Sequence, residues 1–259
     1  MRTYFLWNIY IADSYKDYTS FTANHILRFL EKKQKTKEKL YISVSSENDT
    51  KDIYKAIIEN IKNYNINFKN IFIFQQSEYV GLSQDDKNSK AYFLKENLLS
   101  KLNIPKKNQF LFDGSKDESQ MEKQLEIIKK IGRFDVIWYS LTPDSTSAGN
   151  ERMSSLSSLF RLKTLSEHSI KAIESKFKKE VPTMVFSMGM GIIDIVDTIL
   201  LTSSGIENSC SLRDCLECGI SNSSPLSKLQ KHSDVTVIAD YESSLRLSSQ
   251  TVSMKIKQN

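Results

Sequence analysis

A chain of 259 residues with 39% apolar content is long enough to bury a substantial core and demands no second domain, so a single domain over 1–259 is expected. Its formal charge of +5 comes from lysines scattered along the chain, not from a basic surface interleaved with aromatic residues, which argues against nucleic acid as a partner. No apolar run is long enough for a membrane span, and MRTYFLWNIYI, interrupted by Asn8 and followed by no small-residue cleavage site, reads as a first strand; no membrane partner is expected.

In chain order, strand-like apolar runs fall at 4–11, 40–45, 71–74, 109–112, 134–141, 183–188, 198–203 and 235–240. Helix-like runs separate most of them, at 17–33, 50–63, 89–101, 117–131, 168–179, 208–218 and 225–231. This alternation, with crossovers long enough for parallel connections, predicts an α/β fold: a three-layer αβα, Rossmann-like arrangement around a mostly parallel sheet. Ligands in such sheets sit beyond the carboxyl ends of the strands, so the loops that begin at Ser45, Phe74, Leu141 and Ser203 are where function is sought. The basic run EKKQKTKEK at 31–39 reads as a solvated helix end.

Three cysteines in CSLRDCLEC, residues 210 to 218, have a spacing similar to part of an iron–sulfur set, but a fourth thiol is absent. Cys215 and Cys218 lie beside Leu212 and Leu216 in a helical stripe, so they are expected in the core, in a reducing cytoplasm, with neither metal nor cofactor. After the second strand, SSENDTKDIYKAI places Glu47, Asp49 and Asp52 at a helix start. Acids there cap free N–H groups and complement the helix dipole, and they would repel a phosphate. His25, His168 and His232 fall in none of the four loops; His168 is expected to be solvated or to cap a helix.

The third loop, QQSEYVGL, and several later segments carry a resemblance. EYVGL at 78–82, PDSTSAGNE at 143–151, RLKTL at 161–165, MGMG at 188–191 and SKLQKH at 227–232 occur in the order and at the spacings of the glucosamine-6-phosphate deaminase/isomerase family, whose fold is shared with 6-phosphogluconolactonases. The family strand ends in Asp-Glu-Tyr-Val-Gly, and PDSTSAGNE, from Asp144, aligns without a gap on its Asp-Gly-His-Ile-Ala-Phe-Asn-Glu. The resemblance implies a sugar-phosphate site in which an aspartate moves a proton between C1 and C2 and a histidine, held by an Asp and a Glu, opens the sugar ring.

At those positions the sequence departs from the family. The base position is Ser77, the ring-opening position is Thr146, and Glu78, Asp144 and Glu151 remain around them. The glycine-rich phosphate turn is replaced by SENDT, leaving Ser46 and Asn48 as substrate contacts, with Asn208 and Lys176 elsewhere in the pocket. The segment carrying Ser154, Arg161, Lys163 and Thr164 lies, in bacterial relatives, at a subunit interface that takes an effector, N-acetylglucosamine 6-phosphate. Arg161 and Lys163, on an extended segment, are expected to point to opposite faces and so not to share an anion. A tyrosine that some relatives supply from the C-terminal tail has no match in TVSMKIKQN.

The resulting expectation is a carbohydrate-metabolism protein that has lost the family's catalysis and acts as a sugar-phosphate-binding or regulatory subunit. It would bind glucosamine 6-phosphate or N-acetylglucosamine 6-phosphate and form a homo-oligomer or a mixed oligomer with an active paralogue. Two other expectations stand beside it: an isomerase, deaminase or lactonase with altered catalytic residues, and a structural oligomer partner that binds no sugar.

Overall fold

The computed structural model of the protein describes residues 7–178 and 180–253. Residues 4–6 of the expected first strand, residue 179 of the expected fifth helix and residues 254–259 of the tail lie outside this range.

Seven parallel strands form the main sheet. They are β1 (Asn8–Ala12), β2 (Leu40–Val44), β3 (Ile71–Gln75), β5 (Gln109–Phe110), β6 (Phe134–Ser140), β9 (Val196–Ser203) and β10 (Val235–Asp240), in the spatial order β1-β10-β9-β6-β2-β3-β5. Strand alternation explains why both faces are apolar. Ile199 and Leu201 of β9 enter a core with Ile128, Leu212 and Leu229 on one face, while Leu200 between them enters a core with Leu27, Tyr54 and Leu94 on the other. Helices α1 (Tyr15–Gln34), α2 (Lys51–Asn60) and α3 (Lys90–Leu94, continued by a π turn over Lys95–Leu99) cover the second face; α4 (Ser119–Ile131) and α6 (Ser209–Glu217) cover the first. Capping fixes where α1 begins: the Ser14 hydroxyl accepts from Asp17 N–H at 3.1 Å, Asp17 sits in the first turn, and Lys32 and Lys33 sit in the last.

The expected strand at 183–188 does not join this sheet. As β8 (Met184–Met188) it runs antiparallel between β4 (Ser77–Tyr79) and β7 (Phe160–Thr164), in a second, three-stranded sheet. The glycines of MGMG serve that packing: a Cβ on Gly189 or Gly191 would stand 2.2 or 2.3 Å from the carbonyl oxygens of Ser158 and Ser157. Helix α5 (Glu167–Glu174) packs on this sheet through Ile170 and Ile173, which meet Tyr79, Leu165 and Val185.

Other boundaries also differ. Pro225 opens a 3-10 segment, Pro225–Lys231, where a helix was expected, and the expected strand at 109–112 shortens to two residues. Two short helices, α7 (Tyr241–Ser244) and α8 (Ser249–Ser253), follow β10. Cys215 is buried as expected, but Cys218, the residue just past the end of α6, is exposed, because the helix ends there and the chain leaves the apolar stripe. Among the described residues, no helix is long and apolar enough to cross a membrane.

Candidate functional site

The strand order reverses between β2 and β6: successive strands run outward from β2 through β3 to β5, then return to β6 and run the other way through β9 to β10. The crevice at such a reversal is where an open α/β sheet binds its ligand. A cavity of about 410 Å³ opens there. It is walled by Glu47, Asn48 and Asp49 after β2, by the loop from Leu141 to Gly149 after β6, and by Ser204, Glu207 and Asn208 after β9. Tyr79, Lys90 and Glu151 add to the wall, and α5 and its C-terminal end close it with His168, Ser169 and Lys176.

The turn after β2 is built around charge. Lys90 Nζ donates to Glu47 at 2.6 Å and lies 5.3 Å from the centre of the Tyr79 ring. Burial alone would raise the Glu47 carboxyl, but the Lys90 ammonium overrides it and holds the group below the usual carboxylate range. Among the described residues Asp49 has no such cation. One of its oxygens accepts from the Ser140 hydroxyl on β6, and the other is buried with no hydrogen-bond partner. Burial lifts the Asp49 carboxyl to about 6; the Ser140 hydrogen bond opposes that rise and the charge of Glu47 adds to it.

Ser77 and Glu78 do not line the cavity. Ser77 sits in β4 with no solvent exposure, opposite Ser187, and its hydroxyl has no partner. Glu78 is equally buried, and its carboxylate is fully occupied: Gln75 Nε2, the Ser89 hydroxyl and the N–H groups of Tyr79, Lys90 and Ala91 all donate to it at 2.7–3.0 Å. It ties β4 to the start of α3, a placement that fits a structural anchor rather than the catalytic frame expected of it. Thr146 does line the cavity, and its hydroxyl is hydrogen-bonded to that of Thr142. The backbone of Asp144 lies in the 3-10 turn Pro143–Ser145 that leads into it.

Glu151 is an anchor as well. Its carboxylate accepts from Lys163 Nζ at 2.8 Å, from Ser166 N–H at 3.0 Å and from the Ser166 hydroxyl at 3.0 Å. Burial would raise this carboxyl, yet the Lys163 and serine hydrogen bonds bring it below the usual range. Arg161 donates to Asn150 Oδ1 at 2.8 Å. Arg161 and Lys163 thus both reach the loop after β6, which corrects the expectation of opposite faces: residues two apart on a strand share a face. Thr164 is exposed at the end of β7, and Lys163 Nζ also reaches its carbonyl at 3.0 Å. Ser154 is 3% exposed, its hydroxyl without a partner.

Of the expected substrate contacts, Asn48, Asn208 and Lys176 line the cavity and Ser46 does not. Asn208 is 5% exposed; its amide nitrogen donates to Ser204 O at 2.7 Å, while its Oδ1 has no partner. Sequence reasoning missed Lys90 and His168. His168 reaches the cavity only because α5 folds back over the second sheet, and no local pattern around it signals that. His25 instead packs against the rings of Tyr10 and Phe21, and His232 hydrogen-bonds Val196 O and Asp234 N–H at the opposite end of the strands, at 3.0 and 3.1 Å.

No protein-family model matches the chain. It is similar to the glucosamine-6-phosphate deaminase of Dictyostelium discoideum, 31% identical over 227 residues that cover 86% of this chain and 85% of the relative. The deaminase of Borreliella afzelii is 29% identical over 248 residues, 93% of this chain and 92% of the relative. Among solved structures, a monomeric glucosamine-6-phosphate deaminase superposes with a TM-score of 0.85 at 24% identity, over 92% of this chain and 99% of its own. A 6-phosphogluconolactonase from Thermotoga maritima superposes at 0.73 with 18% identity, over 90% and 99%. With the sheet order, the cavity at its reversal point and a relative above 30% identity over most of both chains, the protein belongs to the glucosamine-6-phosphate deaminase family.

Proposed function

We propose that this chain binds an amino-sugar ligand in the cavity without deaminating glucosamine 6-phosphate, and acts as a binding or regulatory subunit in cytoplasmic carbohydrate metabolism. The observation that carries the reading is Thr146. It occupies the place where the family has its ring-opening histidine, it lines the cavity, and its hydroxyl is bonded to Thr142. A threonine hydroxyl, here hydrogen-bonded to another hydroxyl, has no group that takes up a proton near neutral pH as an imidazole does. Position 77 supports the same reading, since a serine sealed off the lining cannot replace an aspartate base. A positioned acid or base is worth about 10²–10⁴-fold in rate, so losing two leaves little of the family's reaction. A regulatory role calls for an oligomer of this chain or one with an active paralogue; a related fold that is a monomeric deaminase means the architecture itself does not require one.

Ammonium release from millimolar glucosamine 6-phosphate, measured for the wild type and for Asp144→Ala prepared identically, tests the reading. Neither protein is expected to release ammonium above a no-enzyme control. Release by the wild type that is lost in the variant would overturn it. One observation favours a second reading, an enzyme with altered residues: His168 lies on the cavity wall and supplies an imidazole the sequence pattern had not placed there. Under that reading, turnover of a sugar phosphate would fall at least a hundredfold in His168→Asn.

A further inference from the structure

The ion pair between Lys90 and Glu47 is part of the cavity wall, not of the core behind it. Both residues line the cavity, and their side chains are 10% and 23% exposed, so a ligand would meet them in a place largely shielded from bulk water. Burial would lower the Lys90 ammonium, but the charge of Glu47 overrides it and holds the group above its ordinary range. Lys90 is therefore a permanent cation of this wall near neutral pH. Lys176, on the wall that α5 provides, acts through its charge on the same Glu47 carboxylate.

Glu47 also declines the role its position offers. It is the residue that opens the 3-10 turn Asn48–Thr50 leading into α2, where an acid ordinarily caps the free N–H groups. Among the described residues its side chain makes no capping hydrogen bond, and the carboxylate turns to Lys90 instead, with Nζ at 2.6 Å. Asp49, two residues on, does not compete for Lys90, because one of its oxygens accepts from Ser140 and the other is closed off from solvent. Two lysines from different elements thus converge on one carboxylate beside the start of a helix. These are the parts of an anion site, with the anion supplied by the chain itself.

We propose that Glu47 is a tethered anion: its carboxylate fills the place on Lys90 that the anionic group of a ligand would take, and so turns phosphorylated ligands away from the cavity. The proposal rests on the reading that this cavity is the ligand site, and it names the residue that sets the charge the site accepts. A carboxylate fixed in the chain acts at an effective concentration set by its tether, which a free anion has to exceed to displace it. A ligand anion that left Glu47 in place would instead meet a like charge in a partly desolvated wall, a repulsion of several kcal/mol at close range. Glu47 is then a residue of specificity and not of catalysis.

Thermal unfolding of the full chain in sodium sulfate near pH 7, with ionic strength held constant by sodium chloride, tests it. Sulfate stands in for a phosphate group and remains a dianion at this pH. Removal of the carboxylate in Glu47→Ala is expected to raise sulfate affinity about tenfold or more, read as a melting temperature that climbs with sulfate beyond the rise in the wild type. Glu47→Ala combined with Lys90→Met is expected to lose that gain and to show only the general stabilisation that sulfate gives any folded chain. If Glu47→Ala is unfolded in chloride, sulfate at equal ionic strength is expected to restore its melting transition, and failure to do so would overturn the proposal. An equal sulfate response in the wild type and Glu47→Ala would overturn it too, as would a gain that survives Lys90→Met. Glucosamine titrated into the wild type reports on the sugar-binding reading separately, so that binding there with no sulfate gain in Glu47→Ala overturns this proposal alone.

Discussion

Ser145 shows how a single residue bears on the local strain of this site. It adopts φ 59, a left-handed conformation, at the place where the family pattern has glycine. A side chain there costs on the order of 1–2 kcal/mol, and the buried Ser145 hydroxyl makes no hydrogen bond in return. Ser145→Gly is therefore expected to stabilise the protein by about 0.5–1.5 kcal/mol, read as a higher urea midpoint at unchanged m. Ser77 makes the complementary case. Its unpartnered, fully buried hydroxyl predicts that Ser77→Ala is neutral or slightly stabilising, whereas Ser77→Asp, restoring the family's residue, buries a carboxylate and lowers stability by several kcal/mol. A melting temperature for Ser77→Asp equal to that of the wild type would show that the position opens to the cavity after all. The identities of both substitutions were legible in the sequence once the motifs were aligned. Their surroundings were not, because burial at 77 depends on Ser187, more than a hundred residues away.

At the scale of elements, β4, α3 and the turn after β2 form one electrostatic unit. Glu78 holds the first N–H groups of α3, and Lys90, in the first turn of that helix, reaches across to Glu47. Removing one partner of a largely buried ion pair leaves a charge without compensation, so Lys90→Met is expected to cost about 3–5 kcal/mol. Glu47→Gln combined with Lys90→Met should recover at least half of that, and a double-mutant cycle on thermal or urea unfolding measures the coupling. Strands of the main sheet could be read from their alternation and composition: TILLTS and VTVIAD are found within β9 and β10. β4 could not, since three residues carry no usable period, and β8 was legible as a strand but not as a member of a second sheet. Glu78 resembled a catalytic remnant for a similar reason. Three of its five donors, Ser89, Lys90 and Ala91, lie 11 to 13 residues on, and only the fold brings them together.

For the molecule as a whole, the acidic cavity should leave a signature in the pH dependence of stability. The Asp49 carboxyl, raised by burial to about 6, keeps its proton in the folded state over a range where the unfolded chain, titrating near 3.9, has released it. The folded state then binds more protons than the unfolded one, and stability falls as pH rises from about 4 to about 6, by about 1–3 kcal/mol. Urea unfolding across that range should show the decline in the wild type and its loss in Asp49→Asn. Glu151, held low by Lys163 and the serines after burial is offset, works in the opposite direction: its contribution is lost as pH falls through its lowered value, below the range in which Asp49 titrates. The sheet order has a consequence for biosynthesis. Among the described residues β1 joins the sheet only along β10, where Asn8 faces Thr236, more than two hundred residues later. At about 5–20 residues per second on the ribosome, the apolar strand NIYIA waits roughly 10–50 s before this partner strand has been made. This strand is thus paired long after it is made, and a nascent chain released before residue 240 would carry it as an open edge.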